Sequence, residues 1–379
     1  MKNIYLDNAA TTPLAPEVLE AMLPFLENDF GNPSSTHSFG RKTKNAIEIT
    51  RKKIADYIKA EPSEIVFTSG GTEADNMALR CAVADLGVKR IITSCIEHHA
   101  VGHTANHLKD SCNIKIDLVK INDHGHVNIE HLEDLLKEKI PTIVSLMHAN
   151  NEIGNLLDLK KVSLLCKKYN AYFHSDTVQT MGHYNFDLKD LDIDFITCAA
   201  HKFHGPKGVG FLYIKRNTQI NQLITGGSQE RKLRGGTENL YGIVGMGKAM
   251  ELAYSDLKEH QQHVQQLKSY MINELLKIDS SISFNGDIVP ENSLYTVLNV
   301  CFPITQQSSM MLFSLDISGI AASGGSACSS GASAGSHVLA SLPNSNKCQS
   351  VRFSFSRYTT KEEIDFALEK VKDLTTISV

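Results

Sequence analysis

The chain has 379 residues, 42% of them hydrophobic and 21% charged, with a formal net charge of -4. That length fits two domains, and a near-neutral balance argues against direct nucleic-acid binding, which needs a basic face. No run of about 18 apolar residues occurs and the first residues hold no apolar signal-type segment, so no membrane span is expected.

Short apolar, β-branched runs at 65–69, 90–95, 114–119, 142–149, 171–176, 195–199 and 208–214 read as strands. Helical patterns lie between most of them, including 72–85 and 158–169. Such alternation predicts an α/β architecture with a mainly parallel sheet covered on both faces. From 241 to 278 a stretch rich in Gln, Lys, Glu and His predicts one long helix linking to a smaller α+β unit. Thr360-Lys-Glu-Glu363 forms a capping box that opens a last helix, with Ile364, Leu368, Val371 and Leu374 on one side. The expected division is a large domain over 15–255 and a small domain built from 1–14 and 256–379.

Eight cysteines stand at 81, 95, 112, 166, 198, 301, 328 and 348, with no C-x-x-C pair. Neither a structural zinc site nor a redox pair is therefore expected. Most lie in apolar runs and read as small buried thiols, which suits a reducing cytoplasm.

Four segments carry chemistry. Thr68-Ser-Gly-Gly-Thr-Glu-Ala-Asp-Asn76 follows a strand and opens a helix, so Gly71, Thr72 and the helix amides suit a phosphate, although such a turn can also be a purely structural corner. Asp176, in His174-Ser-Asp-Thr-Val-Gln179, ends a strand where ligands bind in open α/β sheets. A carboxylate there can keep a pyridinium nitrogen protonated; the bland reading is a helix cap. Lys202 follows another strand and precedes a Gly/Pro turn, a place for a Schiff-base lysine as well as for a solvated one. The last segment, about 322–336, is almost all Ser, Gly and Ala around Cys328, which predicts a mobile loop carrying a nucleophile that travels.

Together these segments resemble the NifS/IscS-type cysteine desulfurases of the class V aminotransferase family, fold-type I pyridoxal-5′-phosphate (PLP) enzymes. Further matching stretches are Tyr5-Leu-Asp-Asn-Ala-Ala-Thr-Thr12, Gly31-Asn-Pro-Ser-Ser-Thr-His37, Glu97-His98, Asn150-Asn-Glu-Ile-Gly154, His201-Lys-Phe-His-Gly-Pro-Lys-Gly208, Arg234-Gly-Gly-Thr-Glu-Asn239 and Gly325-Ser-Ala-Cys-Ser-Ser-Gly331. The resemblance covers nearly the whole chain. It implies a fold-type I PLP-dependent transferase with a seven-stranded sheet, and a homodimer.

The resemblance also implies roles. Lys202 would form the Schiff base with PLP, Asp176 would pair with the ring nitrogen and Gln179 with the ring hydroxyl. Gly71, Thr72 and His201 would bind the phosphate, and Thr237 would reach the phosphate of the neighbouring subunit. His98 would stack on the ring and shuttle protons, Asn151 would lie near the ring hydroxyl and substrate carboxylate, and Arg352 would pair with that carboxylate. L-cysteine would yield L-alanine and a persulfide on Cys328, destined for an acceptor such as an iron–sulfur scaffold or a tRNA-thiolation protein. Ala199 departs from the family, which commonly has Ser or Thr there, so one phosphate donor is lost. Alternatives within the class are a selenocysteine lyase or a class V transaminase. Outside it stands a sulfur carrier that has lost catalysis, to which Ala199 alone points. His99, His103 and His107 form a stripe at helical spacing, read as a solvated face, and no metal site is expected.

Overall fold

The computed structural model describes residues 3–305, 308–324, 335–343 and 348–376. Its strands are β1 (Ile4–Tyr5), β2 (Ile65–Thr68), β3 (Arg90–Thr93), β4 (Lys115–Leu118), β5 (Thr142–Ser145), β6 (Tyr172–Asp176), β7 (Phe195–Ala199), β8 (Gly210–Ile214), β9 (Ser283–Asn285), β10 (Val297–Pro303), β11 (Ile320–Ala321) and β12 (Cys348–Ser354). Seven form one sheet in the order β2-β8-β7-β6-β5-β3-β4. Only β8 runs antiparallel to its neighbours, β2 and β7; the other pairs are parallel.

Alternate residues of these strands feed two cores, because successive side chains of a strand point to opposite faces. Phe67, Ile92, Val144, Ile196 and Phe211 pack in one cluster with Ile47, Ile54, Met246 and Met250 of covering helices. Val66, Ile91, Ile143, Phe195 and Leu212 pack in the other, with Met77, Ala78, Val101 and Leu108. Burial on both faces explains why six of the strands are continuous apolar runs, whereas the edge strand β4, Lys115-Ile-Asp-Leu118, is partly exposed and carries two charges.

A third cluster joins Ile4, Leu6 and Ala9 to residues between Val264 and Val371. It holds the antiparallel sheet β12-β10-β9 and the parallel pair β1-β11. A bridge from Asp7 to Ser354 continues the N-terminal strand onto β12. The residues that follow reach the end of β7 in the large sheet, where Thr12 N donates to His201 O.

Two expectations are corrected. The long helix over 241–278 is two helices, Leu240–Ser255 and Leu257–Ile278, broken at Asp256 with φ -126°. The Ser255 hydroxyl donates to Leu252 O and contacts the Asp256 carboxylate, local bonds that compete with the helical ladder. Second, Cys301 and Cys348 are joined as a disulfide with Cα atoms 5.3 Å apart. Antiparallel register places Cys301 opposite Ser350 and Cys348 opposite Pro303, which makes the cysteines diagonal neighbours. Cys112 is exposed, while Cys81, Cys166 and Cys198 are buried as expected. Among the described residues, no helix is long and apolar enough to cross a membrane.

Candidate active site

The parallel strands β6 and β7 end side by side, and their carboxyl edge positions the first two groups. Asp176 is the last residue of β6, and a 3-10 turn, Ala200–Lys202, directly follows β7. Lys202 Nζ donates to Ala9 O at 2.6 Å and Ala10 O at 2.8 Å. Gln179 Nε2 donates to the same Ala9 carbonyl at 3.0 Å. Thr12 Oγ1 donates to His201 O, and His201 Nδ1 lies 3.1 Å from Thr11 Oγ1. The N-terminal segment is thus the wall that faces the sheet edge.

Opposite it, β2 leads through Ser69 and Gly70 into the helix Gly71–Asp85. Gly70 has φ +150°, a backbone state that L side chains rarely adopt. A Cβ on Gly71 would lie 2.8 Å from Val178 Cγ2. Glycine therefore keeps the first amides of this helix open to a ligand, and such amides suit a phosphate. Arg234 clamps the first turn through Glu73, with Nε to Oε1 at 2.9 Å and Nη2 to Oε2 at 3.2 Å.

His98 caps the helix His99–Cys112 by accepting Ala100 N–H at Nδ1. That bond leaves Nε2 as the nitrogen available for proton exchange. One ligand atom each of Asp75, His98 and Asp176 lies within 4.8 Å of the others, so a cation could also be held there. Burial pushes the Asp75 carboxyl up to about 7, and burial followed by the Asp75 charge pushes Asp176 up to about 6. Burial also draws His98 below its ordinary value. Asp75 Oδ1 is buried and makes no hydrogen bond among the described residues, with His174 Nε2 3.4 Å away. A cationic N–H beside these carboxyls would relieve their crowding, which fits a protonated pyridine ring.

Arg352 approaches from β12 and is 1% exposed. Its Nη2 donates to Asp7 Oδ1 at 2.7 Å and its Nη1 to Asn151 O at 2.8 Å. Its Nε is buried without a partner among the described residues.

Gly71, Thr72, His98, Asn151, Asp176, Gln179, His201, Lys202 and Arg352 line one cavity of about 230 Å³, together with Ala9, Ala10, Asp75, Met147 and Ala199. A second opening shares Ala10, Gly71, Thr72 and His201 and adds Gly70 and Lys207. Thr237 stands apart, in a cavity lined by Thr68, Ser69 and Arg234. Cys328, and most of the 322–336 loop with it, lies outside the described residues.

Sequence reasoning missed five contributors. Asp7 steers Arg352, the Ala9 and Ala10 carbonyls hold Lys202, and Asp75 completes the acidic floor. Glu97 accepts from the Ser94 hydroxyl and from the backbone N–H of Met147, a cavity-lining residue, and burial pushes its carboxyl up to about 8. Asp7, Asp75 and Glu97 all stood in quoted stretches, but nothing in their spacing marked them as buried or paired. The signal for Asp75 is its position one helical turn after Gly71, on the side that meets the sheet.

Residues 4–366 match the Aminotransferase class-V family. A cysteine desulfurase IscS from Dictyoglomus turgidum is 44% identical over 385 residues, covering 100% of this chain and 96% of that protein. A solved NifS-like protein superposes with a TM-score of 0.91 at 36% identity, covering 100% of both chains. SspA in complex with cysteine superposes at 0.81 with 32% identity, covering 94% of this chain and 100% of that one. Fold and full-length similarity agree, and the chain belongs to the class V aminotransferase family.

Proposed function

We propose that this cavity removes sulfur from L-cysteine, with Lys202 as the proton-transferring base, Arg352 as the carboxylate anchor and Cys328 as the sulfur acceptor. The chain is a PLP-dependent cysteine desulfurase. The observation that carries the site reading is the convergence of Lys202, Asp176, His98 and Arg352 on one cavity. When bound, PLP supplies an electron sink for the α-carbon of the substrate.

The residues divide the remaining work. Gly71, Thr72 and His201 would hold the phosphate, Asp176 the ring nitrogen, Gln179 the ring hydroxyl and His98 the ring face. Asn151 and Arg352 would orient the substrate carboxylate, where a guanidinium suits two parallel bonds. Lys202 Nζ would take the α-proton and return it elsewhere on the substrate, with His98 Nε2 as a second carrier. Cys328 Sγ, as thiolate, would attack the substrate sulfur; the carbon keeps the electron pair of the broken C–S bond. The products are L-alanine and a persulfide on Cys328. An acceptor protein, an iron–sulfur scaffold or a tRNA-thiolation protein, would take the sulfur from there.

The same reading makes the protein a cytoplasmic homodimer, with Thr237 of each subunit serving the neighbour's phosphate. That role suits its place outside its own cavity. The small domain would comprise 1–14 and 256–379, packed against 15–255.

The test is release of L-alanine and sulfide from L-cysteine, with PLP and a reductant, by wild type, Cys328→Ser and Lys202→Ala. Activity in wild type and its loss in both variants support the roles. Full activity in Cys328→Ser contradicts the nucleophile and favours a lyase or transaminase chemistry.

A further inference from the structure

Outside the cavity, a histidine cluster spans two elements. His99 and His103 lie one turn apart on the helix His99–Cys112, with ring centroids 4.7 Å apart. His337 comes from the far end of the chain and lies against His99, with ring centroids 4.5 Å apart and planes tilted by 38°. His107, the third member of the sequence stripe, has no ring contact with them. The stripe therefore divides: His99 meets an imidazole that linear spacing does not reveal, and His103 joins the cluster through His99.

His337 is held in place rather than dangling. Ser336 caps the short helix His337–Ala340 and also donates to Glu152. Val338 and Leu339 pack against Ile96 and Ile153. The His337 ring is fixed further by Nε2, which lies 2.9 Å from the backbone oxygen of Glu97. A carbonyl only accepts, so Nε2 must carry the proton. In the neutral ring that leaves a lone pair on Nδ1, and Nδ1 is buried with no hydrogen-bond partner among the described residues. Buried polar atoms without partners call for an explanation. An imidazole whose other nitrogen is tied to a backbone carbonyl has the outer support typical of a metal ligand.

We propose that His99, His103 and His337 form a binding site for a divalent first-row transition ion, with Zn²⁺ as the probe. The rings tilt against one another at 30° and 38°, and their nitrogens do not form a preassembled ligand group, so binding requires side-chain rotation. Zn–N bonds of about 2.0–2.1 Å in a tetrahedron need nitrogens roughly 3.3 Å apart. The His337 and His103 ring centroids lie 4.5 and 4.7 Å from that of His99, and His103, exposed with its ring against His99, has room to turn toward the other two. Water would fill the fourth position. The ion would staple the helix capped by His98 to the segment directly following the Cys328 stretch.

Zn²⁺ is titrated into PLP-loaded Cys328→Ser protein against a chromophoric chelator, so that the reactive thiol does not compete. The expected result is one tight equivalent per chain, weakened at least tenfold by His99→Ala and by His337→Gln, and unchanged in His107→Ala. His337→Gln keeps a donor for Glu97 O while removing the imidazole, which separates ligand loss from local collapse. X-ray absorption at the zinc edge should show nitrogen ligands without sulfur. Tight binding that survives both His99→Ala and His337→Gln, sulfur coordination, or only weak binding that His107→Ala also reduces would overturn the proposal.

Discussion

Arg352→Lys tests the substrate anchor without removing its charge. Arg352 is buried and already spends Nη1 and Nη2 on Asn151 O and Asp7, so its planar fork is held in one orientation. Lysine keeps a cation for Asp7 but replaces a two-pronged donor with a point charge. The substrate carboxylate then loses one of two charge-assisted bonds, each worth about 1.5–3 kcal/mol. That converts to a drop of roughly 10- to 150-fold in kcat/KM for L-cysteine. The loss should appear mainly as a raised KM, since the anchor acts on ground and transition states alike. PLP affinity, read from the absorbance of the bound cofactor, should stay within a few-fold because Arg352 is assigned no contact with it. An unchanged KM in a folded, PLP-loaded variant would refute the anchor role. Loss of PLP along with activity would show instead that Arg352 supports the architecture.

Three other outcomes follow from the structure. The Glu97 carboxyl is raised by burial to about 8, so its folded form prefers the proton more than the unfolded chain does. Its contribution is complete below its ordinary value of 4.5 and is lost as pH rises through about 8. Glu97→Gln should therefore gain on wild type by on the order of 1–3 kcal/mol between pH 5 and 9 in urea unfolding; a pH-independent difference would contradict this. Ala199→Ser adds a hydroxyl to the cavity wall and should tighten PLP binding by about 2- to 10-fold, one hydrogen bond's worth. Equal or weaker PLP binding in that variant would show that the phosphate lies elsewhere. Eight cysteines less the Cys301–Cys348 pair leave six thiols in denatured, non-reduced protein, and eight after reduction. Eight without reductant would mean that the bridge does not form in the isolated protein.

All seven strands of the large sheet were legible, six of them because burial on both faces leaves apolar, mostly β-branched runs such as Ile65-Val-Phe and Ile91-Ile-Thr, and the partly exposed β4 through its alternating Ile114, Ile116 and Leu118. The capping box was legible too: Thr360 N and Glu363 Oε2 are 2.9 Å apart, and Glu363 N and Thr360 Oγ1 3.3 Å. Such signals are local. The break at Asp256 was not, since Ser and Asp are tolerated within helices and only their side-chain bonds decide. Nor was the disulfide, which depends on the register of β10 with β12. Gly71, Asp176 and Lys202 were readable as candidates from their own segments, but His98 and Arg352 only through resemblance, because these residues meet by folding and not by spacing. Asp75 and Glu97 read as ordinary polar positions, since a buried carboxyl and a solvated one look alike in sequence. His337 could be joined to His99 only once the chain was folded.

The central claim is that sulfur leaves L-cysteine for Cys328 under the action of Lys202. It is tested most directly by peptide mass spectrometry after one equivalent of L-cysteine is added to PLP-loaded protein without reductant. The account predicts one additional sulfur atom on the peptide containing Cys328 in wild type, and none in Lys202→Ala. Turnover to L-alanine with no sulfur on Cys328, or with the sulfur on another cysteine instead, would contradict it.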